Sequence, residues 1–116
     1  ESALDDTMTG ETPLEITPED AHAELKAGRI ALLDVREADE YAICRLDGAR
    51  LIPLGELSER LHELSADKPV VAYCHHGMRS LRAAATLRKA GHAHARSLKG
   101  GIDQWAKKLQ PDMPRY

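Results

Sequence analysis

Apolar positions follow two patterns along the chain, short continuous runs and stripes at helical spacing, and the two alternate. Residues 14–16 are a short run that predicts a strand. Thr17-Pro18-Glu19-Asp20 comes next, where Thr suits a helix N-cap, Pro suits the first helical position and Asp lies three residues beyond the cap. That helix is predicted to reach Ala27, with Gly28 ending it. Residues 30–35 (IALLDV) are nearly all apolar, as expected for a strand buried on both faces. Residues 37–43 predict a short helix, and residues 49–52 a short strand closed by Pro53. Leu54, Leu57, Leu61 and Leu64 recur at spacings of 3, 4 and 3, which predicts an amphipathic helix broken by Lys68-Pro69. Val70-Val71-Ala72-Tyr73 is a second buried strand. Residues 80–90 predict a helix that packs through Leu81, Ala84, Ala85 and Leu87 and stops at Gly91. Residues 95–98 predict the last strand, and residues 101–109, with Trp105, the last helix.

Short strands alternating with helices imply an α/β fold with a parallel sheet covered on both faces. Ligands of such sheets bind beyond the carboxyl ends of the strands. Attention therefore falls on the residues after Tyr73 and after Leu33. Residues 1–12 (ESALDDTMTGET) are polar, acidic and without periodicity, and predict a flexible tail or linker. Residues 111–116 predict a C-terminal tail, leaving residues 13–110 as the domain.

Composition narrows the function more than the fold. A chain of 116 residues fits one domain with one core. Net charge is −3, so general attraction to nucleic acid or to anionic lipid is not expected. The four aromatics are Tyr41, Tyr73, Trp105 and Tyr116, too few for a stacking platform on single-stranded nucleic acid. No apolar run approaches the roughly 18 residues that cross a bilayer, and no signal peptide is visible. Two cysteines do not make a disulfide framework, which favours a reducing, cytoplasmic setting. The first residue is Glu1 rather than Met, as expected of a domain of a longer protein or of a processed product.

The candidate chemistry lies in Cys74-His75-His76-Gly77-Met78-Arg79-Ser80, between a buried strand and a helix. Successive amides of a tight turn at a helix N-terminus can converge on an anion. Such a field stabilises a thiolate, an anionic persulfide or the oxyanion of a sulfur donor. Gly77 permits the backbone of a tight turn. Arg79 adds a fixed, forked cation suited to an oxyanion donor such as thiosulfate. A lone cysteine after an apolar strand also reads as a small buried hydrophobe. Glycine and arginine within the next five residues, leading into a helix, give the catalytic reading equal standing.

Tyr73-Cys74-His75-His76-Gly77-Met78-Arg79-Ser80 resembles the active-site loop of the rhodanese-like sulfurtransferases. Leu33-Asp34-Val35-Arg36-Glu37 with Glu40-Tyr41 is similar to the family's first signature. The stretch from Leu46-Asp47-Gly48-Ala49-Arg50 to Leu54 resembles its second, and Leu98-Lys99-Gly100-Gly101-Ile102-Asp103-Gln104-Trp105 its closing motif. The resemblance covers roughly residues 14–109 and implies a three-layer fold with a five-stranded parallel sheet and helices on both faces. It also implies a two-step transfer. Cys74 takes a sulfane sulfur from thiosulfate or a persulfide and passes it to a thiophilic acceptor, with amides from His75 to Ser80 stabilising the charge. No cofactor beyond the covalent Cys74 persulfide is implied. A protein donor or acceptor fits the same scheme. Four residues separate Cys74 from Arg79, where tyrosine-phosphatase-type loops have five, so a phosphatase or arsenate-reductase activity is disfavoured. A non-catalytic binding module is the alternative, and intact Cys74, Gly77 and Arg79 speak against it.

Asp34 and Arg36 resemble the family's Asp-x-Arg and are expected to form an ion pair that fixes local structure, with orientation of the donor as the second role. Cys44 and Arg45 stand where the family more often has Gly and His, and Cys44 is expected to be an ordinary thiol. No Cys/His set has the spacing of structural zinc, and neighbouring loop histidines are expected to point apart, so no metal is predicted at His75 and His76. Trp105 is expected to anchor the last helix in the core.

Overall fold

The computed structural model describes residues 12–116. The tail expected over residues 1–12 thus lies, but for Thr12, outside the described residues. Five strands, β1 (Glu15–Ile16), β2 (Ala31–Asp34), β3 (Arg50–Leu51), β4 (Val70–Tyr73) and β5 (Arg96–Leu98), form one sheet in the order β1-β5-β4-β2-β3. All four pairings are parallel. Among the described residues, four α-helices, α1 (Pro18–Lys26), α2 (Ala38–Ile43), α3 (Met78–Lys89) and α4 (Gly101–Leu109), connect or flank them.

The start of α1 obeys its local sequence. The Thr17 hydroxyl accepts from the Asp20 amide at 3.2 Å, and Pro18 occupies the first turn, where no backbone donor is missed. β4 is buried along its whole length because it lies centrally, between β2 and β5. Its side chains divide by the period of two. Val71 and Tyr73 join Ile16, Leu32, Leu98, Ile102 and Trp105 on one face, while Val70, Ala72 and Cys74 join Leu33, Ile52, Leu57, Ala83 and Leu87 on the other. Fully burying a side chain such as Leu33 or Leu87 is worth about 1.5–3 kcal/mol. Helices α1 and α4 cover the first face, and α3 with the segment after Pro53 covers the second.

Two expectations are corrected. Residues 54–64 are not one α-helix but two 3₁₀ turns, Leu54–Glu59 and Leu61–Glu63. Leu54/Leu57 and Leu61/Leu64 are each three apart, which is the repeat of a 3₁₀ turn. The spacing of four falls at Arg60, whose φ of −120° ends the first turn. Residues 111–116 are also more than a tail. Met113 packs on the core, and Tyr116 returns to the carboxyl ends of the strands.

Candidate active site

β4 is the central strand, so the loop that leaves it emerges between the ends of β2 and β5. Helix α3 begins two residues earlier than its sequence pattern suggests, at Met78, so Met78, Arg79 and Ser80 form its first turn. Two amides point back at the cysteine, that of Gly77 just before the helix and that of Ser80 within its first turn. The Gly77 amide donates to Cys74 Sγ at 3.0 Å and the Ser80 amide at 3.4 Å. Ser80 Oγ lies 3.5 Å from Sγ and 2.7 Å from the hydroxyl of Ser97, which comes from β5. Ser80 has one proton to give. The Gly77 carbonyl at 3.2 Å, the Cys74 sulfur and the Ser97 hydroxyl all stand within reach of it. Cys74 is only 1% exposed, and Met78 on the outer side of the turn is 72% exposed.

Two glycine-dependent contacts hold this turn. Gly77 has φ +108°, a conformation that side chains disfavour. A Cβ on Gly101 would lie 2.3 Å from the His75 carbonyl oxygen and 2.6 Å from that of Cys74, so only glycine lets α4 approach so closely. The approach serves two bonds, Ile102 N–H to the Cys74 carbonyl at 2.9 Å and Asp103 N–H to that of His75 at 3.1 Å.

Charge surrounds the sulfur cradle in a fixed pattern. Arg79 forks onto Glu40, with Nη1 to Oε1 at 2.8 Å and Nη2 to Oε2 at 2.9 Å. Arg79, then the Glu37 amide and Tyr116, hold the Glu40 carboxyl at about 2, so it is ionised throughout the neutral range. Asp34 and Arg36 form a fully buried ion pair, with Arg36 Nη2 2.7 Å and Nε 2.9 Å from the two carboxylate oxygens. Arg36 also donates to the Cys44 carbonyl at 2.6 Å and to the Tyr116 hydroxyl at 2.8 Å. That hydroxyl donates onward to Glu40 at 2.9 Å, and burial, then the Glu40 charge, pushes it up to about 12. Cys44 is buried beside Arg36, and both cysteines are free.

Of the loop residues, Gly77 and Ser80 thus reach Cys74 Sγ, Met78 faces outward and Arg79 turns to Glu40, whereas Asp34 and Arg36 form a buried ion pair of their own. Glu40, Ser97 and Tyr116 are site residues that sequence reasoning misses. Ser97 leaves a trace in the sequence, a hydroxyl within a buried strand. Tyr116 leaves none. The histidines differ from expectation: the rings of His75 and His76 lie 4.1 Å apart instead of diverging, and Asp103 joins them.

The rhodanese-like domain model matches residues 17–108. The chain belongs to the rhodanese-like domain family. Among curated relatives it is 45% identical over 104 residues to the probable adenylyltransferase/sulfurtransferase MoeZ of Mycobacterium tuberculosis, covering 87% of this chain and 26% of MoeZ. It thus spans about a quarter of that relative's length. Thiosulfate sulfurtransferase GlpE of Actinobacillus succinogenes is 33% identical over 102 residues, covering 88% of this chain and 92% of GlpE. A rhodanese-related protein from Thermoplasma volcanium superposes with a TM-score of 0.77 at 31% identity, over 85% of this chain and 96% of that one. The rhodanese-like domain therefore has sulfurtransferase relatives and the expected five-stranded parallel sheet. Among the described residues, no helix is long and apolar enough to cross a membrane.

Proposed function

We propose that this rhodanese-like domain is a sulfurtransferase that carries sulfane sulfur as a Cys74 persulfide. The observation that carries this reading is the aim of two backbone amides, Gly77 and Ser80, at Cys74 Sγ. Donors fixed around Cys74 Sγ stabilise the attacking thiolate, and again the charge that returns to Sγ as the S–S bond of the persulfide breaks. The Cys74 thiolate attacks the outer sulfur of thiosulfate, a new S–S bond forms, and sulfite leaves with the electron pair of the old one. An acceptor nucleophile then attacks the outer sulfur, and Cys74 departs as thiolate with the same amides in place. The two steps balance without an external oxidant and without a resident cofactor. The acceptor is a thiol or another thiophilic nucleophile, small or carried on a protein. A reducing compartment suits two free cysteines, and a role as the sulfur-carrying part of a longer protein suits the match to one section of MoeZ.

The test is direct. After incubation with thiosulfate or a low-molecular-weight persulfide, intact mass is expected to rise by one sulfur atom, and cyanide is expected to remove it. A chain that gains no sulfur from either donor is not a sulfurtransferase.

Arg79 sets up a second measurement. Two of its five N–H groups are spent on Glu40, and its side chain is 36% exposed, so three remain for an anionic donor. Arg79→Ala is expected to slow loading from thiosulfate roughly tenfold or more, the effect of about 1.4 kcal/mol of lost charge-assisted bonding. Loading from an uncharged persulfide is expected to fall much less. Equal losses with both donors would reduce Arg79 to a brace for Glu40.

A further inference from the structure

We propose that His75, His76 and Asp103 form a binding site for a borderline divalent cation, with Zn2+ the best match. One ligand atom from each of the three lies within 4.8 Å of the other two. Three ligands on a tetrahedral ion at about 2.0–2.2 Å sit a little over 3 Å apart, so closure needs side-chain rotations rather than backbone movement. The backbone is already set. The Asp103 amide bonds the His75 carbonyl at 3.1 Å, tying the cradle loop to the first turn of α4. His76 Nε2 is already 3.9 Å from Asp103 Oδ2, and its side chain is 70% exposed and free to swing.

The donor set selects the class of ion. Two imidazoles and one carboxylate suit Zn2+ and its transition-metal neighbours, whereas Mg2+ and Ca2+ prefer all-oxygen shells. Three protein ligands leave the fourth position open to water.

The opposing charges are identifiable. Asp103 Oδ1 is held by Arg115 at 2.9 Å and Oδ2 by Lys107 at 3.3 Å. Burial works against its ionised form, yet Lys107, Arg115 and His76 together keep the carboxyl below its ordinary range. Ligation through Oδ2 alone displaces only Lys107, a half-exposed side chain that can turn to solvent, and leaves the Arg115 bond intact. Exposed ion pairs of this kind contribute little beside metal ligation.

Binding is read independently of sulfur transfer, so the site and the proposed activity stand or fall separately. Zn2+ is titrated into the Cys74→Ser chain against a chromophoric chelator, which removes the reactive thiol as a competing ligand. One Zn2+ per chain is expected, unaffected by excess Mg2+, with His76→Ala and Asp103→Asn each weakening it roughly tenfold or more. On the unaltered chain, Co2+ is expected to give visible d–d bands without a sulfur-to-metal charge-transfer band, a readout that needs no variant to fold. A charge-transfer band, loss of Zn2+ binding in Cys74→Ser, or equal Zn2+ affinity in Asp103→Asn would each overturn the assignment.

Discussion

Cys74→Ser is expected to keep the fold and to lose sulfur loading altogether. The serine oxygen occupies the place of Sγ and accepts from the same two amides, Gly77 and Ser80, while its own proton can go to Ser80 Oγ. The change therefore strands no buried polar group, and its cost in stability is expected to stay within about 1–2 kcal/mol. Chemistry does not survive it, because a hydroxyl does not ionise in the neutral range and forms no persulfide. Cys44→Ser is the matched control. Cys44 is buried beside Arg36 and sits outside the amide cradle, so its variant is expected to load sulfur like the parent chain. Intact mass before and after cyanide reads both variants, and circular dichroism reports the fold. Retention of a cyanide-labile sulfur by Cys74→Ser would move the carrier to Cys44 and remove the case for the cradle.

The cradle was legible in the sequence for a physical reason. The groups that face the sulfur are local: a cysteine at a strand end, a glycine for the turn, and the amides of Gly77 and Ser80 within six residues. The central strands were legible because burial on both faces leaves little room for polar residues, as in residues 70–73 and, Asp34 apart, 30–35. The stripe of four leucines over residues 54–64 shows the limit. Spacings of three and four fit an α-helix, yet the spacing of three alone fits the 3₁₀ turns observed, and their length decides nothing by itself. What could not be read is what the fold brings together. Glu40 meets Arg79 across 39 positions, and Tyr116 meets Arg36 across 80. A terminal tyrosine after Met113-Pro114-Arg115 carries no periodic signal, so nothing local distinguished this docked segment from a free tail. The histidines illustrate the converse: adjacent residues on an extended chain diverge, but here the turn at Gly77 and the approach of α4 at Gly101 draw the two rings to one side.

Arg36→Met is expected to be the most destabilising single substitution near the site, at about 3–5 kcal/mol, because it leaves one member of a buried ion pair without its partner. Both side chains of the pair are fully buried, so water cannot take the place of the guanidinium. Asp34 would keep only neutral donors, the backbone amide of position 36 at 2.9 Å and the Tyr73 hydroxyl. The carbonyl of Cys44 and the hydroxyl of Tyr116 would lose their donor as well, loosening the end of α2 and the docked C-terminal segment together. Domains of this size have only about 5–15 kcal/mol of net stability, so the urea midpoint is expected to fall by about a fifth or more. Adding Asp34→Asn is expected to recover much of the loss, since the stranded charge goes while an oxygen remains for the amide of position 36. The double variant separates this cause from simple loss of packing. A double variant no more stable than Arg36→Met would mean that the arginine stabilises through its stem and its bonds to Cys44 and Tyr116, and that Asp34 tolerates its charge alone.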